Sequence, residues 1–249
     1  MDCVILAGGK SSPNMKTATG CEYRADLPIG GMRMVEYVAK AIREALPETQ
    51  KIIVVGSQID GCVTAEAGQS FLGSLNNGMQ LVETETFLIA TADLPFLTKE
   101  SVEEFVKKSD RRAALNWPII PIEICKKEFP NMKRTTLKLK EGRFTGGNLA
   151  LCNKELMQKS LPILQTAYQN RKSVFKLASQ IGIGAMARVA FGQIFPKTLP
   201  LKTLEAKIAK FLGAPVKAVI CSGADLGADV DSLEHYEMAK NLIEIRAKP

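Results

Sequence analysis

CVILAGGKSSPNMK, residues 3–16, is an apolar run that ends in two adjacent glycines, followed by Lys10, two serines, Pro13 and Lys16. A short apolar run closed by glycines reads as a buried strand. The glycines and the residues after them admit several readings. A P-loop requires G-x-x-x-x-G-K-[ST], and neither the second glycine nor the Lys-Ser/Thr pair stands at that spacing after Gly8 and Gly9. A dinucleotide fingerprint requires G-x-G-x-x-G, whereas these glycines are adjacent. Two readings stay open: a plain strand-end turn, or a glycine-rich turn whose backbone N–H groups approach an anion and which continues as a long loop over a nucleotide.

Working outward, strand and helix patterns alternate. Residues 34–46 place Val35, Val38, Ala39, Ile42 and Leu46 on one helical face, and Pro47 ends that helix. KIIVVG at 51–56 is a second buried strand, 69–82 a helix or loop-helix, and TFLIATADLP at 86–95 a third strand. Thr98 is placed to cap a further helix, with Glu100, Glu103 and Glu104 in its first turns. This order predicts a mostly parallel sheet with helices on both faces. Beyond residue 113 the texture changes: AALNWPII, RTTLKLK and GNLALCN read as strands, with a loop around CKKEFPNMK. Residues 154–212 read as mostly helical, with breaks at Gly182, Gly184, Pro196 and Pro200. VKAVIC at 216–221 is a late strand, and Ser232 caps a last helix with Leu233, Tyr236, Ala239, Leu242 and Ile243 on its apolar face. The expectation is one domain over 1–249, with a helical insertion or sub-lobe at 154–215.

Composition narrows the classes. The chain has 249 residues, 46% of them hydrophobic, enough to bury a core without staples. No apolar run approaches the roughly 20 residues that span a bilayer. The first residues lack the basic start of a signal peptide, so a cytoplasmic location is expected. Cys3, Cys21, Cys62, Cys125, Cys152 and Cys221 are scattered, and there is one histidine, which argues against a Cys/His zinc site. The net charge is +7, concentrated at 126–143 in Lys126, Lys127, Lys133, Arg134, Lys138, Lys140 and Arg143. That stretch reads either as a solvated face or as a patch for an anionic substrate. It has few aromatics for stacking bases, so nucleic acid is not expected.

The ordered landmarks are LAGG at 6–9, DLPIGGMRMVEYV at 26–38, VVG at 54–56, TADLPFLT at 91–98, FTGGNLAL at 144–151 and DVDSLEHYEMA at 229–239. Here the sequence resembles the MobA-like nucleotidyltransferase family over nearly its whole length. The resemblance implies an α/β fold, a Rossmann-like three-layer sandwich of the nucleotide-diphospho-sugar transferase or glycosyltransferase-A type, with a mostly parallel sheet and a small antiparallel part. It implies a cytoplasmic, Mg²⁺-dependent transfer of a nucleotide from a triphosphate, CTP or GTP foremost, to a small anionic acceptor, with release of pyrophosphate. It leaves a homodimer open.

The same resemblance assigns residues. Leu6, Ala7, Gly8, Gly9, Asn77 and Asp93 would bind the nucleotide, with Asn76 a further candidate. Asp93 and Asp231 would hold the metal, with Asp229 as an alternative to Asp231. Gly146, Gly147 and Asn148 would bind the acceptor, and the basic stretch at 126–143, with Arg134 and Thr135, adds residues for a phosphorylated one. Each has a plainer alternative: a turn or cap for Asp93 and Asp231, a β-bulge for Gly146 and Gly147, a helix cap for Asn76 and Asn77, and a structural role for His235. The sequence departs from the family pattern in the opening loop, where Ser12-Pro13-Asn14 occupies the place of an arginine. Arg24 stands where a lysine is expected before L-P-x-x-G. Arg24, Lys10 and Asp93 are accordingly the candidate catalytic groups, with Lys16 a further source of charge. A related glycosyltransferase and a non-catalytic nucleotide-binding protein are the competing readings.

Overall fold

The computed structural model describes residues 1–169, 193 and 195–247. The first strand, β1 (Asp2–Leu6), is buried along its whole length and lies at the centre of the parallel part of the sheet. It pairs in parallel with β4 (Ile52–Val55), Cys3 opposite Ile52, and with β6 (Thr86–Thr91), Leu6 opposite Thr91. β5 (Val63–Ala65) extends this part beyond β4. On the other side β10 (Leu149–Asn153) runs antiparallel between β6 and β7 (Leu115–Pro121). β9 (Gly142–Gly146) and β8 (Leu137–Leu139) follow as antiparallel strands, and β11 (Val216–Ile220) pairs with β7 in parallel. A separate hairpin joins β2 (Pro28–Ile29) to β3 (Met32–Arg33). The mixed, mostly parallel sheet agrees with the expected α/β class.

The two-residue period of β1 divides the core. Cys3 and Ile5 point to one face, with Val54, Leu88 and Ala90. That face is covered by α2 (Met34–Ala45), α4 (Lys99–Lys108) and α8 (Leu233–Ala247), through Val38, Ile42, Phe105 and Tyr236. Val4 and Leu6 point to the other, where Leu72, Leu75 and Met79 of α3 (Phe71–Gln80) and Met157 and Leu161 of α6 (Lys154–Gln169) pack. Burying each such aliphatic side chain contributes roughly 1.5–3 kcal/mol, so the alternation of strand residues commits both faces at once. α7 (Leu201–Leu212) lies on β11 and against α6.

The structure alters three expectations. Residues 13–19, expected as loop, form α1 (Pro13–Thr19). The Ser12 side chain caps it, Pro13 occupies its first turn, and Gly20 closes it at φ 75°. The start of CKKEFPNMK is helical in α5 (Ile122–Glu128), because Ile122 and Cys125, three apart, turn one face into the core. The third strand stops at Thr91, and 92–95 turn away from the sheet. Gly182 and Gly184 lie outside the described residues.

Candidate active site

In open α/β sheets ligands gather where parallel strands end and the chain turns to either face. The ends of β1 and β6 meet here: the Ala92 N–H donates to the Leu6 carbonyl at 3.1 Å, and the Ala7 N–H to the Val55 carbonyl at 2.8 Å. A cavity of about 680 Å³ opens above them. Its walls are Leu6–Lys10, Arg24 and Ala25, Thr91–Asp93, and the start of α3 with the loop before it, Gly68–Phe71 and Ser74.

The glycines of the opening loop are set by close approach. A Cβ on Gly8 would lie 2.8 Å from the Ala67 Cβ, and one on Gly9 would lie 2.9 Å from the Arg24 guanidinium. Backbone pairing brings Arg24 there, for its N–H donates to the Gly9 carbonyl at 2.9 Å, and Lys10 forms a β-bridge with Tyr23. Gly68 touches the first turn of α3 so closely that a Cβ would meet Gly73 at 2.4 Å. The Ser74 hydroxyl accepts from the Gly68 N–H, and the Asn77 amide donates to the Glu66 carbonyl, both at 3.0 Å. The loop is thus anchored on α3, whose Ser70-capped N-terminus faces the cavity and favours anions through its unpaired N–H groups.

Arg24 and Asp93 form the charged centre. A guanidinium nitrogen lies 3.4 Å from Asp93 Oδ2, with side chains only 27% and 13% exposed. Burial pushes the Asp93 carboxyl above its ordinary range against the pull of the Arg24 charge, and the Asp229 charge adds to the rise. Two buried polar atoms here have no hydrogen-bond partner: Asp93 Oδ1 and Arg24 Nε. Such groups are costly unless something bonds them. Lys10, by contrast, is 71% exposed and, with Lys16, pairs with Glu22, at 3.4 and 3.2 Å. Of the three cations considered for the charge of the opening loop, Arg24 is the one held on Asp93.

A second cavity of about 460 Å³ lies beside β9 and the turn at 224–227, lined by Lys133–Leu137, Phe144–Gly146, Gly227, Asp229 and Asp231. Arg134 donates to the Gly227 carbonyl, and its guanidinium lies 5.9 Å from the Phe129 ring centre. The Thr145 hydroxyl donates to the Thr135 carbonyl at 3.0 Å. Gly147 and Asn148 form a bulge. Between the pairs Ile119–Gly146 and Asn116–Leu151, β7 has two residues and the facing chain has four. There the Gly147 N–H donates to the Pro118 carbonyl, and the Asn148 N–H to Leu226 at 2.7 Å. Of the residues expected at the acceptor, Arg134, Thr135 and Gly146 line this cavity and Gly147 and Asn148 do not.

The segment 229–231 joins the two cavities, since the Val230 N–H donates to the Asp93 carbonyl at 2.9 Å. Asp231 is 53% exposed and its carboxylate lies 2.9 Å from His235 Nδ1, while Asp229 is the carboxylate whose charge reaches Asp93. Among the described residues no three His, Cys, Asp or Glu side chains converge on a metal position. A cation here would rest on one or two carboxylates, as suits Mg²⁺ shared with phosphates. The unpartnered Asp93 Oδ1 fits that demand.

Asn77 supports the loop without lining the cavity. Conversely, Gln69, Ser70, Phe71, Ser74 and Thr91 line it without having been singled out. The signal for the first three was a serine in the cap position of a helix, followed by a phenylalanine, which the structure leaves 46% exposed. Asp225 was also missed. It is buried and accepts from the Thr98 N–H and hydroxyl, both at 2.8 Å, and from the Ser101 hydroxyl at 2.6 Å.

Residues 3–120 match the model of the MobA-like NTP transferase domain. A hypothetical transferase from Thermus thermophilus is similar at 32% identity and a TM-score of 0.84, over 94% of this chain and 98% of that one. A nucleotidyl transferase from Methanothermobacter thermautotrophicus shares the fold at 15% identity and a TM-score of 0.57, over 98% of each chain. So does 2-C-methyl-D-erythritol 4-phosphate cytidylyltransferase from Thermus thermophilus, at 15% and 0.55, over 98% of this chain and 100% of that one. No curated protein matches the sequence.

Proposed function

We propose that the chain, which belongs to the MobA-like NTP transferase domain family, transfers a nucleotide from a nucleoside triphosphate to a small, phosphorylated acceptor and releases pyrophosphate. The observation that carries this reading is the cavity at the ends of β1 and β6, where Arg24 and Asp93 face each other with buried, unpartnered polar atoms. Its size lies in the range of small-ligand pockets. The family resemblance, with CTP or GTP as donor, supports the triphosphate.

In this reading the loop Gly8–Lys10 and the N-terminus of α3 hold the phosphates through backbone N–H groups. Phe71 offers an aromatic face to the base. Arg24 supplies fixed positive charge. Asp93, with Asp229 rather than the outlying Asp231 beside it, would hold a divalent cation such as Mg²⁺, which when bound neutralises charge on the phosphates. The acceptor occupies the second cavity, where Lys133 and Arg134 favour an anion. Its oxygen attacks the α-phosphorus, pyrophosphate leaves, and alignment together with charge neutralisation does the catalysis.

The test is pyrophosphate release with each common triphosphate, Mg²⁺ and a panel of sugar phosphates and phosphorylated alcohols. Release with at least one pair, reduced about a hundredfold or more in Asp93→Asn, is the expected result. Absence of release, with a Mg²⁺-dependent thermal shift by one nucleotide, would leave a binding protein instead.

A further inference from the structure

We propose that Arg24 and Asp93 act as an exchange pair. In the free protein each occupies the other, so a divalent cation alone and a triphosphate alone bind poorly, and the two bind well only together. This rests on the proposed function and adds to it a rule for how the site fills.

The geometry carries the inference. The pair lies 3.4 Å apart on the wall of the cavity, both side chains largely buried. It is incompletely satisfied: Arg24 Nε and Asp93 Oδ1 have no partner. Two well-formed hydrogen bonds would make a closed structural bridge; one contact with orphaned atoms on both sides is a pair awaiting other partners. The guanidinium lies close over Gly9, where a Cβ would meet it at 2.9 Å, and both residues line the cavity, so a phosphate there can reach it in place of Asp93. The neighbouring cations Lys10 and Lys16 pair with Glu22 and not with Asp93.

A cation that takes Asp93 strands Arg24, and an anion that takes Arg24 strands Asp93. Leaving either charge buried and unpaired is unfavourable. A metal–triphosphate complex satisfies both, the phosphates replacing Asp93 on Arg24 while the metal replaces Arg24 on Asp93. The coupling is reciprocal by linkage, so each half of it is measurable without the other ligand.

The experiment uses the full chain at pH 8, with circular dichroism to verify that the variants are folded. Mn²⁺ alone is titrated by electron paramagnetic resonance into wild type and Arg24→Gln. CTP or GTP, in excess EDTA, is titrated by calorimetry into wild type and Asp93→Asn. The expected results are a Mn²⁺ affinity in Arg24→Gln at least about fivefold above wild type, and metal-free nucleotide affinity in Asp93→Asn raised by a similar factor, the lower end of usual coupling. Unchanged or weaker binding in either arm overturns the exchange pair. If wild type still binds the metal–nucleotide complex in that case, the proposed function stands; if wild type binds no metal–nucleotide complex, that reading fails as well.

Discussion

Gly9 lacks a side chain because Arg24 has taken the space. A Cβ there would meet the tip of a flexible guanidinium, whereas a Cβ on Gly8 would meet the Ala67 Cβ, carried directly on backbone. The two neighbouring glycines should therefore respond differently to alanine. Gly9→Ala is expected to leave the unfolding midpoint nearly unchanged and to weaken metal–nucleotide binding about tenfold, because Arg24 gives way. Gly8→Ala is expected to lose about 1–3 kcal/mol of stability, because overpacked backbone cannot. Denaturant titration and calorimetry on both variants separate the outcomes, and equal stability losses would contradict the assignment.

At the scale of elements, the stretch DLPIGGMR is a hairpin that feeds a helix. Gly30 and Gly31 both have positive φ, 54° and 85°, as a two-residue hairpin turn of the primed type requires. Arg33 then caps α2 together with Glu36, whose carboxylate accepts the Arg33 N–H at 2.7 Å. The Arg33 guanidinium also bonds the Asp26 carboxylate and the Gln58 carbonyl, tying the hairpin to the turn after β4. The Arg33 backbone N–H, before all else, holds the Glu36 carboxyl below its ordinary value of 4.5. A depressed carboxylate stabilises the fold above its unfolded pKa, and that contribution is lost as pH falls through the folded pKa. Glu36→Gln is expected to cost about 0.5 kcal/mol at pH 7, a figure discounted for partial exposure. The difference from wild type should vanish as pH falls below about 4.5, as read by urea unfolding across that range. A difference that persists in acid would place the effect in packing instead.

At the scale of the whole molecule, the end of the chain closes over its beginning. The Tyr236 hydroxyl donates to the Pro28 carbonyl at 2.7 Å, and a Cβ on Gly30 would touch Ile243 at 2.8 Å. Asp225 fastens the turn at 224–227 to the N-terminus of α4, and that turn in turn receives Arg134. Every group bonded to Asp225 is a donor. Asp225→Asn would point an amide at one of them and is expected to cost about 1–3 kcal/mol. It should lower the urea midpoint with little change in slope, and it should weaken acceptor binding more than nucleotide binding, since the turn lines the second cavity.

Much of this was legible in the amino-acid order. The unbroken apolar runs CVIL and KIIVV, and the spacing of Val35, Val38 and Ile42, mark buried strands and a one-faced helix, because backbone geometry repeats locally. α1 was equally legible, through Ser12, Pro13 and Gly20, although the glycines before it drew the reading toward a loop. The bulge at Gly147 was one of two readings that the residues allowed, and it becomes visible only in the pairing with β7. Which cation serves Asp93, and whether Asp229 or Asp231 stands nearer to it, lay beyond local pattern. Lys10, Lys16 and Arg24 carry the same charge within a few residues of one another. By itself the sequence determined most of the strands and helices and their order, since these depend on short-range sterics and periodic burial. Only the tertiary structure decided that Arg24 belongs to Asp93 and the lysines to Glu22. That choice depends on the bridge between Lys10 and Tyr23 and on the meeting of β1 with β6, contacts that exist only once the chain has folded.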